Sequence, residues 1–352
     1  MKRVFTALAM AGLLTASLSA CVQSGRTDQS RATGDKVACP VEVDESLTGT
    51  VRLGYQDIPN GDLVVKDAGL LETCLPKATI TWSKFASGAT VIQAFGSNSL
   101  DLGLLGSADA ARALSAPLNI GMKAVWIHDV IGAAESLVVK DAAITTVAGL
   151  RGKKIAVPFA STSHYSLLAA LTATGIEREV TLVNMQPDAI AAAWRGGDID
   201  AAFVWEPTLS ELLRNGHVVT TAADTAKAGK PTYDLEGARA DFVTANPRVL
   251  EAWTAAQNWA INLINSSPDS AATHIAAQLG VPVTDVRKQL SEYGYLDAGT
   301  QAGAAYLGGQ LGTDLESAAD FLLSQGEIQG VAAPQAYAGS VYANAAATVS
   351  AK

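Results

Sequence analysis

Four short segments place hydroxyl-bearing or small residues where a strand pattern gives way to a helix pattern. They are Phe85-Ala86-Ser87-Gly88, Leu105-Gly106-Ser107-Ala108, Phe159-Ala160-Ser161-Thr162-Ser163-His164 and Trp205-Glu206-Pro207-Thr208. A Ser or Thr at such a turn is first of all an N-cap, its oxygen accepting from an unpaired backbone N–H. Three of them in corresponding positions also make an anion cradle of free N–H groups, hydroxyls and the positive ends of helix dipoles. No Lys or Arg occupies these loops. The pattern therefore predicts a site of neutral dipoles, better matched to a weakly basic oxyanion such as a sulfonate than to a phosphate.

The elements that must carry these loops alternate. Strand patterns run over Val51–Tyr55, Ala78–Phe85, Asp101–Leu105, Ile155–Phe159, Val180–Met185 and Ala201–Trp205, separated by helical patterns. Such alternation predicts βαβ units, a mainly parallel sheet and ligand groups at the carboxyl ends of the strands. From Pro247 to Leu322 the pattern turns helical, so two α/β units are followed by a helical return. The chain has 352 residues with 49% apolar and 17% charged, enough for a sizeable core. Its formal charge of −9 argues against nucleic acid as a partner.

The amino terminus reads as an address. Lys2 and Arg3 precede an apolar run from Val4, and Leu18-Ser19-Ala20-Cys21 closes it. A basic start, a short apolar region and small residues at its end predict an export signal over 1–20. The last four residues resemble a bacterial lipobox, which implies lipidation of Cys21 and an anchor on the outer face of the cell membrane. Residues 21–46 are expected to form a flexible tether, polar throughout its first stretch. Cys39 and Cys74 remain as a candidate disulfide in an oxidising compartment, or as two buried thiols. His128, His217 and His274 lack ligand neighbours at metal spacing, so no metal or other cofactor is expected. No Gly-rich phosphate motif is present, and ATP hydrolysis would fall to another subunit.

The block from Ser161 to Pro207 closely resembles the taurine-binding proteins of bacterial ABC importers. The matching stretches are Ser161-Thr162-Ser163-His164-Tyr165-Ser166-Leu167-Leu168-Ala169-Ala170-Leu171, Asn184-Met185-Gln186-Pro187, Ile190-Ala191-Ala192-Ala193-Trp194, Gly197-Asp198-Ile199-Asp200 and Ala202-Phe203-Val204-Trp205-Glu206-Pro207. Ala134-Glu135-Ser136-Leu137-Val138-Val139 and the loops at Ser87 and Ser107 extend the likeness to the wider sulfonate, nitrate and taurine binding family. The resemblance implies an α/β, type 2 periplasmic-binding-protein fold, two lobes closing on a ligand. Crossings are placed near Ile131–Val139 and Asp234–Asp241, giving a first lobe of 47–133 plus 238–352 and a second of 134–237. It also implies a monomeric receptor that passes its ligand to a permease and its ATPase.

On that resemblance a zwitterion such as taurine would set its sulfonate on Ser87, Gly88, Ser107, Ser161, Thr162 and Ser163. Its ammonium would meet Glu135 or Glu206, with Trp205 against the ethylene link. Gln56 and His164 are further candidates that equally serve their own loops. Glu135 has the alternative role of a hinge ion pair, and Glu206 that of a first-turn acid favoured by the helix dipole. Two departures bear on the ligand: Glu206 stands where the family commonly has Asp, and Leu235-Glu236-Gly237-Ala238-Arg239 is more polar than the usual crossing strand. Another small zwitterion or an alkyl sulfonate is the alternative ligand. Sensing rather than import, and a desulfinase-like enzyme on the same fold, are the alternative functions, the enzyme requiring a reactive Cys in the cradle.

Overall fold

Among residues 37–351, which the computed structural model describes, strands form two sheets, one of six and one of five. The signal segment, the lipobox with Cys21 and the tether as far as residue 36 lie outside the described residues. The first sheet contains β1 (Gly49–Tyr55), β2 (Ala78–Lys84), β3 (Leu102–Gly106) and β4 (Met122–Ile131). The second is built from β5 (Glu135–Val139), β6 (Lys154–Val157), β7 (Thr181–Asn184), β8 (Ala201–Trp205) and β9 (His217–Thr221). β10 (Tyr233–Arg239) and β11 (Tyr293–Gly294) return to the first sheet, whose order is β11-β4-β10-β3-β1-β2. The second runs β7-β6-β8-β5-β9. Two α/β lobes are therefore present, each with its own buried apolar clusters.

The parallel part of each sheet is narrower than the alternation implied. β1 pairs in parallel with β2 and β3, and β6 with β7 and β8. β10 is antiparallel to β3 and β4, and β5 is antiparallel to β8 and β9. These reversed strands follow the two crossings, where the chain enters a sheet from the cleft end. β3, β5 and β8 are buried along their whole length, as apolar runs covered on both faces must be.

The chain passes from the first sheet to the second between Ile131 and Glu135. The second crossing comes earlier than expected. β10 pairs Leu235 with both Leu105 and Ile127, so residues 233–237 belong to the first lobe and not to the second. Asp234 and Glu236 disguise a central, buried strand as a polar connection. The helical return, with Pro247–Ser266, Pro268–Leu279 and Gln310–Ser324 as its long helices, packs on the first lobe through Leu250, Trp253, Ile261, Ile275 and Leu315.

The expected tether is also shorter than 21–46. Cys39 is disulfide-bonded to Cys74. The Asp44 N–H donates to the Cys74 carbonyl at 2.9 Å, and Arg248 pairs with the Asp44 carboxylate at 2.6 Å. Residues 39–46 are thus laced to the first lobe. No helix among the described residues is long and apolar enough to cross a membrane.

Candidate functional site

The loop ends of the two lobes meet in a narrow pocket. Its lining comprises Gln56, Ile58, Gly88, Gly106, Asp109, Glu135, Ser161, Thr162, Trp205 and Asp234. Three of the four cradle loops contribute backbone or hydroxyl groups here, and the fourth contributes Trp205. The lobes are pressed together. A Cβ on Gly106 would stand 2.6 Å from Thr162 Cγ2, and Tyr165 packs edge-on against Phe321 of the helical return at 5.1 Å.

On the second lobe, the helix Thr162–Thr174 begins at the pocket. Ser161 caps it, its Oγ accepting from the His164 N–H at 3.1 Å and donating to the Pro158 carbonyl at 2.7 Å. The preceding Ala160 has φ 66°, a left-handed conformation costly for a residue with a Cβ. That strain is held at the edge of the pocket. Thr162 Oγ1 donates to Glu135 Oε1 at 2.6 Å, while Glu135 Oε2 is buried with no hydrogen-bond partner. One carboxylate oxygen is thus oriented by the fold and the other left unpaired.

The first lobe departs from the neutral cradle that its loops predicted. Asp109, two residues beyond Ser107, brings a carboxylate to the start of both first-lobe helices. A Cβ on Gly88 would lie 2.4 Å from Asp109 Oδ2, and one on Gly106 would lie 3.1 Å from it. Only glycine at 88 leaves that space. Asp234 joins the lining from β10, and across the ladder it faces Asp129, whose two carboxylate oxygens are buried without partners. Like charges directly opposite each other in a sheet repel. No Lys, Arg or His lines the pocket.

Burial and mutual repulsion set the protonation of this group. Burial, then the neighbouring Asp234, pushes the Glu135 carboxyl up to about 8 against the pull of Thr162. Burial lifts Asp234 to about 7. It also carries Asp109 well above the usual carboxylate range, with Arg112 opposing. Asp129 rises for the same reason, with Asp234 and Glu135 adding to it. With no cation beside them, these carboxyls are driven toward the neutral form. A ligand with a positive charge would return them to the ionised form.

The remaining sequence candidates lie behind or beside the pocket. Gln56 lines it and donates to the Leu104 carbonyl at 3.0 Å. Ser87 is buried with its Oγ unpartnered. Ser107 Oγ accepts from the Tyr233 N–H at 3.1 Å, which fixes β10 rather than a ligand. Ser163 is buried and outside the lining. His164 stacks on Phe159 at 4.6 Å and accepts at Nδ1 from the Ala160 N–H, holding its own loop. Glu206 does not reach the pocket as an ammonium ligand. Its carboxylate accepts from the Ser210 N–H and Oγ and from Gln289 Nε2. Asp109 and Asp234 escaped the sequence reading because one resembles an ordinary first-turn acid and the other sits in a segment read as a connection.

Comparison with known proteins places the fold. Residues 49–272 match a family model described as the substrate binding domain of the ABC-type glycine betaine transport system. The chain is 38% identical over 262 residues to the taurine-binding periplasmic protein of Escherichia coli, covering 72% of this chain and 80% of that one. A putative aliphatic sulfonates-binding protein of the same organism is 30% identical over 223 residues, covering 60% and 69%. Among solved structures, the alkanesulfonate-binding protein of Xanthomonas axonopodis bound to MOPS superposes with a TM-score of 0.68 at 23% identity, covering 83% of this chain and 98% of that one. The periplasmic nitrate-binding protein of Synechocystis gives 0.69 at 16% identity, covering 88% and 90%.

Proposed function

The chain belongs to the family of solute-binding proteins of ABC importers, and on that premise we propose that it is an exported receptor for a small sulfonate bearing an amine, with taurine as the type ligand. The observation that carries this reading is the pocket's charge. Asp109, Glu135 and Asp234 converge without a basic residue among the lining, and Glu135 keeps an unpaired oxygen there. An alkyl sulfonate without an amine would bring no cation to ionise these three carboxyls. A taurine-like zwitterion supplies the missing cation.

In this arrangement the ammonium sits among Glu135, Asp234 and Asp109, and charge-assisted hydrogen bonds replace the protons those carboxyls otherwise hold. The sulfonate meets the free N–H groups at the start of the helix Thr162–Thr174, with Gly88 opposite; the hydroxyls of Ser161 and Thr162, already donating to Pro158 and Glu135, shape the loop around it. Trp205 and Ile58 cover the carbon link. A ligand touching both lobes favours the closed state by its differential affinity. The two described cysteines are bonded to each other away from the pocket, which supports a receptor over a desulfinase-like enzyme. Lipidation of Cys21 would keep the receptor at the membrane face, beside the permease and ATPase that take its ligand.

Calorimetric titration of a form lacking residues 1–21 tests the reading. Taurine should bind well ahead of ethanesulfonate and of an aminoalkyl phosphonate. Ethanesulfonate binding as tightly as taurine would overturn the role given to the carboxylates. Silence from all three would remove the sulfonate as ligand class.

A further inference from the structure

Behind the pocket, in the core of the first lobe, three side chains from three elements converge: Asp62, His128 and Glu236. His128 lies in β4 at an irregularity of the β4–β10 ladder, where the register jumps from Asp234↔Asp129 to Leu235↔Ile127. Bulges of this kind re-aim a side chain. Here the backbone of Ile127 is taken over by the Gln301 amide, which accepts from the Ile127 N–H at 2.7 Å and donates to its carbonyl at 2.9 Å. His128 Nε2 then points at Glu236 Oε2, 2.9 Å away on β10, and at Asp62 Oδ2, 3.7 Å away near the start of the helix Gly61–Ala68.

All three side chains are at most 2% exposed. The Asp62 carboxylate is divided: Oδ1 accepts from Gln257 Nε2 at 2.6 Å, and Oδ2, facing the histidine, has no hydrogen-bond partner. Among the described ion pairs, neither carboxylate is joined to a Lys or Arg. Two buried carboxylates and one imidazole thus share a dry core with no fixed positive charge, a costly arrangement unless a cation or added protons balance it.

We propose that Asp62 Oδ2, His128 Nε2 and Glu236 Oε2 form a structural site for one divalent transition ion, with zinc as its probe. One nitrogen and two carboxylate oxygens are a fitting donor set for such an ion. Metal–ligand bonds of about 2.0–2.2 Å place tetrahedral donors roughly 3.3–3.5 Å apart. The two measured separations bracket that spacing, and all three donors lie within 4.8 Å of one another. Gln257 holds the far oxygen of Asp62, the kind of support that fixes a ligand's orientation. Trp253, edge-on to the His128 ring at 6.0 Å, supplies an apolar wall. Because the donors are enclosed, the ion is taken up as the lobe folds and exchanges only when it unfolds. The ion neutralises Asp62 and Glu236, the latter in the middle of the strand that also carries Asp234, and so keeps β10 in the sheet.

Elemental mass spectrometry of the full chain, produced in zinc-supplemented medium and purified without chelator, is the direct test. One zinc per chain is expected, surviving dialysis against EDTA in the folded state. Unfolding in guanidinium with EDTA should release it, and refolding with zinc should give a higher thermal midpoint than refolding without. The double variant Asp62→Asn/Glu236→Gln keeps the shapes and removes the charges. It should fold, hold no zinc and refold to the same midpoint with or without the ion. Metal far below one equivalent in the parent chain, with a midpoint indifferent to zinc, would overturn the site in favour of shared protons. Equal zinc in parent and double variant would overturn it as well.

Discussion

Gln289 Nε2 donates to Glu206 Oε2 at 3.1 Å, and this bond runs from the helical return of the first lobe to the loop that ends β8 in the second. Ser210 Oγ sits 3.3 Å from the same amide nitrogen. One of the two residues expected to meet an ammonium, Glu206, thus forms a latch between lobes. Replacing it by Ala should favour the open state by the net worth of about one hydrogen bond, ~1 kcal/mol, and so weaken every ligand roughly fivefold. Titration of Glu206→Ala with taurine and ethanesulfonate checks this. A loss confined to taurine would return Glu206 to the ammonium site.

The pocket carboxyls make stability fall as pH rises. Glu135 is lifted to about 8 and Asp234 to about 7, both above their ordinary values, so the folded empty protein holds protons that the unfolded chain releases. That contribution is complete below about pH 4 and is lost as pH climbs through about 7 to 8. The thermal midpoint of the ligand-free protein should decline across this window, and saturating taurine should flatten the decline. A ligand-free midpoint that rises from pH 5 to pH 8 would contradict the assignment.

The disulfide between Cys39 and Cys74 closes a loop with a sequence separation of 35. In the chain-entropy account, such a link stabilises by about 3–4 kcal/mol. Cys39→Ser/Cys74→Ser should therefore lower the midpoint by several degrees while leaving ligand selectivity intact. Denaturant unfolding under non-reducing conditions measures the first and titration the second.

Much of this architecture was legible from residue patterns. The strand-to-helix loops at Ser87, Ser107 and Ser161 announced the cleft because caps, small residues and apolar runs are local signals. Glu135 came instead from the family resemblance, in the segment Ala134–Val139. What stayed hidden depends on distant pairing. Asp109 looks like any acid in a first helical turn until Gly88 is seen to lie against it. Asp234 and Glu236 make β10 look like a connection, and only its place between β3 and β4 explains how such a polar segment is buried. The histidine His128 lies 108 residues from Glu236 in sequence, a spacing no motif describes.

Recognition of an amine through the pocket carboxyls is put to the test by Glu135→Gln. The amide keeps the shape and the Thr162 contact while removing the charge. Charge-assisted hydrogen bonds are worth about 1.5–3 kcal/mol, so taurine affinity should fall by roughly 10- to 150-fold. Ethanesulfonate affinity should hold, since it brings no cation to ionise Glu135 and the amide then replaces a neutral carboxyl. Equal losses for both ligands, or none for taurine, would contradict the account.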